Sequence, residues 1–359
     1  DKAIRPAYWG GISHVHKGKA GKDQYGVNVM DINSSYPDKA AHYKLPYGNV
    51  LYEFGEGQHP DMSKFWVAEA IVEFKLKSKH HLPCIPSKAI TEGRPLEIDK
   101  WVDDSEGYVK MTFSSIDYQT IQMSYDFKVI RWCWSIHWAW KVHREVAKFV
   151  HMNNDNKVKY SDLARKEKDP IKKAEYQTMA NRAKIDNNSF YGKFGEEVVK
   201  YGKTPYYEEN EIVWETDRMD EQSEYNRKFL PVAIAITAWG RQQLVELANI
   251  LGEHFIYCDT DSVHYLKGGV KEKIEKAIKD GILEVHPTKL GAWDFEGYYV
   301  KGRFLRAKCY MEEKEDGTVE ATVAGLPADP GTGRFSKKRS SLNWDNFHIG
   351  TVIPAEQSH

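Results

Sequence analysis

Two aspartates two residues apart form the pattern in this sequence that could most clearly do chemistry. Asp259 and Asp261 lie in YCDTDS, between the apolar runs HFIYC and SVHYL. Both runs have strand character, so the pattern predicts a hairpin with carboxylates at its tip. Asp31 ends another strand-like run, YGVNVMD, and could complete the group. Hard divalent cations bind such oxygens, and two ions about 4 Å apart can promote phosphoryl transfer.

The same aspartates also have a simpler interpretation. Asp-Thr-Asp is a common turn composition, so turn formation and capping would explain it without any chemistry. The apolar flanks favour a functional role, because a buried carboxylate needs a partner. Taken alone, the aspartates therefore leave both a structural turn and a metal site open.

A lysine-rich helix supplies the second pattern, KIDNNSFYG at residues 184–192. At about 100° per residue, Lys184, Asn188 and Tyr191 fall within about 60° of one another, and Lys173 lies about 20° from Lys184. Lysines and an amide on one face suit a triphosphate. Taken alone, the pattern is better explained by a solvated, lysine-rich helix with a core tyrosine.

The elements that must position these residues are strands and helices in irregular alternation. Further strands are predicted at residues 65–76, 303–312 and 322–326. Helices are predicted at 141–152, 161–194 and 229–251, and the second of them is a helical hairpin that stops and restarts at Asp169-Pro170. The pattern indicates irregular chain at 80–135 that ends in an apolar strand-like run, a helix break at 153–160, and short strand-like pieces at 196–228.

Composition indicates an ordinary globular protein. The chain has 359 residues, 41% hydrophobic and 29% charged, with a net charge of −1. That length suits one large domain or two to three subdomains. Basic residues cluster at 157–173, 301–308 and 334–339, and acidic ones at 208–224, which favours one anion-binding face. Solvated helix faces and loops are the alternative.

Other sequence features set limits. No run of about 18 apolar residues occurs, so no membrane span is predicted. The four cysteines have no CxxC spacing, which argues against zinc and against a disulfide framework. The first residue is Asp1 rather than Met, so we expect the chain to be part of a longer protein.

Five short motifs together resemble one family. In order they are YWGG (8–11), DINSSYP (31–37), KIDNNSFYG (184–192), YCDTDS (257–262) and KCY (308–310). The chain resembles the polymerase part of family B DNA polymerases, above all the protein-primed group of small tailed phages. Ser35 departs from the family pattern, which has leucine there. An upstream exonuclease domain, usual in the family, is not expected in this chain.

The resemblance implies an α+β fold of the right-hand polymerase type. It consists of a palm, built from an antiparallel sheet plus helices, with helical fingers and a small thumb. The implied divisions are palm at 1–83, an insertion contacting a terminal protein and DNA at 84–140, fingers at 141–195, a second insertion for strand displacement and processivity at 196–228, palm again at 229–322, and thumb at 323–359.

The resemblance also implies roles for individual residues. Asp31, Asp261 and the Ile32 carbonyl would hold two Mg²⁺ ions, with Mn²⁺ as a substitute and Asp259 as a supporting carboxylate. The implied nucleotide-binding residues are Tyr36 (as a sugar gate), Lys172, Lys184, Asn188 and Tyr191. Lys173 is the alternative to Lys172, because the helical angle prefers it. The implied DNA-binding residues are Tyr8, Gly10, Gly11, Ser34, Gly192, Thr260, Arg306, Lys308 and Tyr310. Among them, Lys308 and Tyr310 would hold the primer end, with Arg306 near the backbone.

The implied function is DNA-templated addition of dNTPs to a primer 3′-hydroxyl or a terminal-protein hydroxyl, with strand displacement. The expected partners are primer-template DNA, dNTPs and a terminal protein, and the expected location is the host-cell cytoplasm. Two alternatives remain. One is a non-catalytic DNA-binding replication module, and the other is a two-metal nuclease, which needs similar carboxylates but neither the lysine-rich helix nor a sugar gate.

Overall fold

The computed structural model describes residues 2–93, 100–196, 201–208, 211–218, 228–325 and 342–351. The strands within these ranges are β1 (Ser13–Val15), β2 (Asp23–Ile32), β3 (Leu45–Phe54), β4 (Phe65–Leu76), β5 (Ile90–Glu92), β6 (Val109–Ser114), β7 (Tyr125–Lys141), β8 (Tyr201–Glu208), β9 (Glu211–Arg218), β10 (Phe255–Asp259), β11 (Ser262–Leu266), β12 (Trp293–Arg306), β13 (Cys309–Glu313) and β14 (Val319–Val323). The α-helices within them are α1 (Ser35–His42), α2 (Ser115–Ser124), α3 (Arg144–Lys166), α4 (Pro170–Gly195), α5 (Leu230–Leu251) and α6 (Lys271–Lys279). Antiparallel sheets combined with helices confirm the predicted α+β class.

A seven-stranded antiparallel sheet, in the order β1-β10-β11-β2-β12-β13-β14, carries the predicted carboxylates. At its centre, Asp31 of β2 pairs with Ser262 of β11 on one side and with Asp294 of β12 on the other. β10 and β11 form the predicted hairpin. Because β2 lies beside β11, the pairing brings Asp31 next to the tip of that hairpin.

Helix α5 packs against this sheet and is apolar on nearly every side, as a helix in a core must be. Its buried exception is Arg241, whose side chain is 1% exposed. The Arg241 Nη2 atom lies 2.7 Å from Oδ1 of Asp117 on α2, an equally buried carboxylate. A buried charge needs such a partner, so the pair joins α5 to α2 at a defined position.

A second sheet, of five strands in the order β3-β7-β4-β6-β5, lies within residues 45–141. The prediction that residues 80–135 are irregular is wrong for much of this range, because β6, α2 and β7 follow one another without a gap. The prolines and glycines that suggested irregular chain all precede Val109. Ser114 accepts a hydrogen bond from the backbone N–H of Asp117 and so caps α2, a start signal visible in the sequence.

The predicted division between residues 83 and 84 does not separate the two sheets. β3 and β4 fall in the predicted first part of the palm, yet β3 pairs with β7, and β4 pairs with β6 and β7 of the predicted insertion. The periodicity of a sequence locates a strand but does not identify the strand that it pairs with. The five-stranded sheet is therefore one unit across the predicted division.

Helices α3 and α4 form the predicted helical hairpin. The predicted break at 153–160 is wrong, because α3 runs without interruption from Arg144 to Lys166. Asn153 is buried, and Nδ2 of Asn187 on α4 donates to the carbonyl of Val150 at 3.2 Å. Packing of this kind outweighs the weak helix propensity of the asparagines. The predicted restart is confirmed, since Asp169 caps α4 by accepting from the Ile171 N–H.

Two further predictions on the C-terminal side are corrected. The single strand predicted at 303–312 is two strands, β12 and β13, joined by a turn at Ala307–Lys308. Lys308 has a φ of 55°, a left-handed conformation that no strand contains. The strand predicted at 322–326 is β14, which begins three residues earlier. Lys308 is also one of the predicted site residues.

The remaining predicted divisions are only partly described. The second insertion (196–228) contains the β8–β9 hairpin. Most of the predicted thumb (323–359) lies outside the described residues, apart from 323–325 and 342–351. Phe347 in the latter range packs against Leu305 and Met311. Within the described ranges, no helix has the length and apolar character needed to cross a bilayer.

Candidate active site

Predicted residues of four motifs converge on one cleft of about 650 Å³. It lies between the strand ends of the seven-stranded sheet, helix α1, and the hairpin formed by α3 and α4. Twelve of the predicted site residues line it: Asp31, Ile32, Ser34, Tyr36, Lys184, Asn188, Tyr191, Asp259, Thr260, Asp261, Lys308 and Tyr310. The remaining six predicted residues do not: Tyr8, Gly10, Gly11, Lys172, Gly192 and Arg306.

The tip of the β10–β11 hairpin is held by the chain beside it. Thr260 has a φ of 63°, and its backbone N–H donates to the carbonyl of Ile12 at 2.7 Å. A Cβ atom added to Gly11 would lie 2.7 Å from the Thr260 side chain, which is far inside van der Waals contact. The second glycine of YWGG is therefore required sterically by the turn that carries Asp259 and Asp261.

The carboxylates of Asp31 and Asp261 lack a cationic partner at ion-pair distance among the described residues. Burial raises the pKa of Asp31 to about 8, and nearby Asp261 and Glu296 add to the shift. Burial also raises the pKa of Asp261 to about 6, with Asp259 as the next cause. A site in which carboxylates repel one another in this way favours a bound cation.

The donor set fits a hard divalent cation. Two carboxylates and the backbone at Ile32 face a cleft open to solvent, and Mg²⁺ prefers few protein ligands with positions left for phosphates. Among the described residues, no three His, Cys, Asp or Glu side chains form a preorganised metal cluster. Asp259, the third carboxylate of the cleft, has a different partner.

Asp259 is paired with Lys308. The Lys308 Nζ atom lies 2.9 Å and 2.7 Å from the two carboxylate oxygens of Asp259. The backbone N–H of Lys308 donates to the hydroxyl of Tyr257 at 3.0 Å. Both ends of Lys308 are thus held by β10, and this compensates for its left-handed φ. The predicted supporting carboxylate and the predicted primer-end lysine form one ion pair.

Two lysines from the opposite arms of the hairpin enter the cleft, and only one of them was predicted. Lys184 comes from α4 and Lys157 from α3. Lys157 Nζ donates to Ser34 Oγ at 3.2 Å. Burial lowers the pKa of Lys157, and so does nearby Lys184, whereas Asp31 raises it. The pair places positive charge directly opposite the carboxylates.

The prediction of Lys172 as the second lysine of the cleft is not supported by its position. Lys172 and its alternative Lys173 precede Lys184 by twelve and eleven residues on one helix. They therefore lie about 18 and 16 Å from it along the helix axis, near the exposed tip of the hairpin. The angular argument considered only the side of α4 and not the distance along its axis. Lys157 reaches the cleft because α3 is a continuous helix that runs antiparallel to α4. The sequence did not single out Lys157, because it predicted a helix break at 153–160.

Tyr36 and Tyr191 form an aromatic wall of the cleft. Their ring centroids are 4.5 Å apart. A Cβ on Gly240 of α5 would approach the Tyr36 ring to 3.0 Å, so the ring packs closely against the backbone of that helix. Ser35, the departure from the family pattern, also lines the cleft. It is buried, and its hydroxyl has no hydrogen-bond partner among the described residues.

The YWGG segment runs beside the cleft. The Arg241 guanidinium donates to the carbonyls of Trp9 and Gly10. A Cβ on Gly195, at the end of α4, would collide with the hydroxyl of Tyr8. Tyr8, Gly10 and Gly11 thus form a path between the helical hairpin and the carboxylate turn. Gly192 has open space where a side chain would be, so nothing in the chain itself requires a glycine there.

Glu296 is a cleft residue that the sequence did not single out. The register of β12 against β2 shifts between Phe295 and Gly297, which makes Glu296 the extra residue of a β-bulge. A glycine inside a strand is a signal for such a bulge. Asn33, Asn187 and Ser262 also line the cleft. Arg306, predicted beside the primer, is exposed at the end of β12, outside the cleft.

Comparisons with known proteins agree with the motifs. Residues 1–280 match the family described as DNA polymerase type B, organellar and viral. The DNA polymerases of Bacillus phages PZA and phi29 are each 28% identical over 98% of this chain. That of Streptococcus phage Cp-1 is 24% identical over 92%. The chain spans 58% of the length of the two Bacillus phage proteins and 53% of the Streptococcus phage protein.

Solved structures show the same fold. The phi29 DNA polymerase in complex with primer-template DNA and incoming nucleotide superposes with a TM-score of 0.76 at 24% identity. The match covers 98% of this chain and 58% of that one. The phi29 polymerase in its complex with primer-template DNA gives a TM-score of 0.74.

The raised pKa of Asp31 predicts how stability depends on pH without metal. Asp31 binds a proton in the folded chain from about pH 4 to about pH 8, where the unfolded chain is ionised. The free energy of unfolding in EDTA should therefore fall across this window, by about 2–5 kcal/mol. Urea unfolding of Asp31→Asn should show a clearly flatter dependence and a higher stability at pH 8. Asp155→Asn, on an exposed part of α3, should keep the wild-type slope. Equal slopes for wild type and Asp31→Asn would contradict the interpretation.

Proposed function

Because this chain belongs to the organellar and viral type B DNA polymerases, we propose that it adds deoxynucleotides to a primer 3′-hydroxyl on a DNA template. The observation that carries the proposal is the composition of one cleft. Two carboxylates without a cation face two lysines from a helical hairpin, with a tyrosine pair between them. A structural turn would need the aspartates but neither the facing lysines nor the open cleft.

Asp31, Asp261 and the Ile32 carbonyl are the proposed ligands of two Mg²⁺ ions, for which Mn²⁺ can substitute. The bound ions would supply charge neutralisation for the attacking and leaving oxygens of an in-line phosphoryl transfer. Asp259 contributes indirectly by orienting Lys308. Little covalent chemistry falls to the side chains themselves, so their main task is to fix positions and charges.

The lysines Lys157 and Lys184 are the proposed triphosphate ligands. They reach the cleft from two helices, so a triphosphate bound between them would be held from both sides. Asn188 and Tyr191, with Gly192 one residue further along α4, would border the nascent base pair. Tyr36 lies beneath them, where the ring would meet a ribose 2′-hydroxyl but not a deoxyribose.

DNA would follow the path on the other side of the carboxylate turn. Lys308, Tyr310 and the exposed Arg306 are proposed to hold the primer end. The template strand would pass Tyr8, Gly10 and Gly11, with Ser34 and Thr260 beside the templating base. The tight contact between Gly11 and Thr260 supports this path, because it leaves no room for a side chain between the template segment and the turn.

Protein priming and strand displacement are the finer part of the proposal. Support comes from the five-stranded sheet and the β8–β9 hairpin, which lie in and around the two predicted insertions. The phage polymerases similar to this chain support a location in the host-cell cytoplasm. A terminal protein is the proposed priming partner, and the contacts assigned to residues 84–140 belong to the same proposal.

Primer extension tests the function directly. The chain should extend a labelled primer with dNTPs and Mg²⁺, and Asp31→Ala and Asp261→Asn should reduce the rate by about 10³-fold or more, because each removes charge stabilisation at the reacting phosphate. Asp280→Asn, on the exposed end of α6, is the control and should retain wild-type activity.

Incubation with labelled single-stranded DNA in the absence of dNTPs separates the alternative functions. Degradation without extension would indicate a nuclease, and DNA binding without either reaction would indicate a non-catalytic module.

Kinetics can distinguish Lys157 from the predicted Lys172, and from its alternative Lys173, as the second triphosphate ligand. Lys157→Ala should raise the KM for dNTPs about 10–100-fold, the effect of losing one hydrogen bond from a charged group. Lys172→Ala and Lys173→Ala should change it less than about twofold, because those side chains lie about 16–18 Å along the helix from Lys184. A large effect of Lys172→Ala together with none of Lys157→Ala would contradict the assignment.

The sugar gate predicts a change in selectivity rather than in rate. Tyr36→Ala should lower the preference for dNTPs over ribonucleotides by about 10–100-fold, because the ring that meets the 2′-hydroxyl is removed. Tyr36→Phe keeps the ring and should keep the preference. Incorporation of ribonucleotides measured side by side for the three proteins decides the role. Unchanged selectivity in Tyr36→Ala would exclude Tyr36 as the gate.

A further inference from the structure

A buried polar pair lies beneath the cleft and takes no part in lining it. His264 Nδ1 is 2.8 Å from Oε1 of Glu312, and both side chains are 5% exposed. Aromatic rings surround the histidine: the centroids of Tyr257, Phe304 and Tyr310 are 5.2–5.3 Å from the imidazole. A polar pair inside an aromatic cluster is not needed for stability, because apolar residues of similar volume are often as stable or more so.

The pair joins two strands that are not neighbours. His264 lies on β11 and Glu312 on β13, with β2 and β12 between them in the sheet. Strands in a flat sheet are about 4.8 Å apart, so three spacings would separate these two by about 14 Å. The 2.8 Å contact therefore requires the sheet to curve until the two side chains meet. Breaking the contact removes a direct polar link across that curve.

Each of the two strands begins at a functional turn. β11 starts one residue after Asp261, and β13 starts one residue after Lys308. Tyr310, which lines the cleft, lies on β13 two residues before Glu312, and its ring also contacts Tyr257 at 5.1 Å between centroids. The pair thus links the strand behind the carboxylates to the strand behind the proposed primer-end residues.

We propose that His264 and Glu312 are positioning residues, which set the distance between the Asp259–Asp261 turn and the primer-end residues Lys308 and Tyr310. They touch neither DNA nor nucleotide, and act through the ring of Tyr310 and the start of β13. The consequence for DNA rests on the proposed polymerase function. Loss of the pair should weaken the hold on the primer end while leaving the nucleotide pocket, on the other side of the carboxylates, unchanged.

The test compares substitutions that break the contact with one that keeps it. Glu312→Leu and His264→Phe remove the hydrogen bond but retain buried volume, and each should raise the KM for primer-template about tenfold, while the KM for dNTPs changes less than about twofold. Glu312→Gln retains an acceptor for the His264 N–H and should stay within about threefold of wild type. A primer KM that is unchanged in both disruptive variants would overturn the proposal.

The chain offers a matched control for general destabilisation. Asn249, near the end of α5, is half-buried and does not line the cleft. Its side chain accepts a hydrogen bond from the Leu82 N–H at 3.1 Å and donates one to Ser124 Oγ at 3.1 Å. Asn249→Leu removes these hydrogen bonds at similar volume, so it should leave the primer KM unaltered at equal stability, as judged by urea unfolding. An equal rise of the primer KM in Asn249→Leu would show that the effect is only structural and would overturn the positioning role.

A second measurement does not depend on activity. In protein labelled with ¹³C-tyrosine, the ring signal of Tyr310, assigned by its loss in Tyr310→Phe, should shift in Glu312→Leu and not in Asn249→Leu. If the wild-type chain fails to extend primers, the proposed function fails, but this signal still decides whether the pair orients Tyr310. A Tyr310 signal identical in wild type and Glu312→Leu would overturn the proposal regardless of activity.

Discussion

The burial of two carboxylates is the constraint around which this structure is arranged. Asp31 and Asp261 lie close together because β2 pairs with β11, which begins one residue after Asp261, and their burial makes the ionised forms costly. The chain provides no cation at contact distance among the described residues. It provides Lys157 and Lys184 across the cleft, and their charges lower the pKa of Asp31 without neutralising the carboxylate. In the proposed reaction, ions and phosphates would complete the charge balance of this cleft.

The third carboxylate shows how similar residues acquire different roles. Asp259 and Asp261 belong to the same short motif, but Asp259 is neutralised by Lys308, and Asp261 is not. The difference arises from a single turn on another hairpin, where Lys308 adopts a left-handed conformation that the hydroxyl of Tyr257 supports. Local sequence could rank the two aspartates only by resemblance, because the distinguishing partner lies about fifty residues away.

Sequence predicted those parts of the site that depend on short intervals. Asp259 and Asp261 on one turn, and Lys184, Asn188 and Tyr191 on one helix face, need only the periodicities of strands and helices, and all five line the cleft. Lys157 could not be found in that way, because its place depends on how far two helices extend before they turn back. Glu296 depends on a bulge, and the five-stranded sheet depends on which strands pair. In each case the missing information is how distant segments of the chain align with one another, which the local propensities of residues for helix or strand do not give.

The contact between Gly11 and Thr260 constrains how this protein can evolve. The segment proposed to guide the template and the turn that carries the carboxylates share one surface with no space between them, since even a methyl group at position 11 would displace Thr260. A substitution at either position therefore alters both functions at once. The two segments can diverge only by paired changes, so that in any set of related chains the residues at these positions should vary together or not at all.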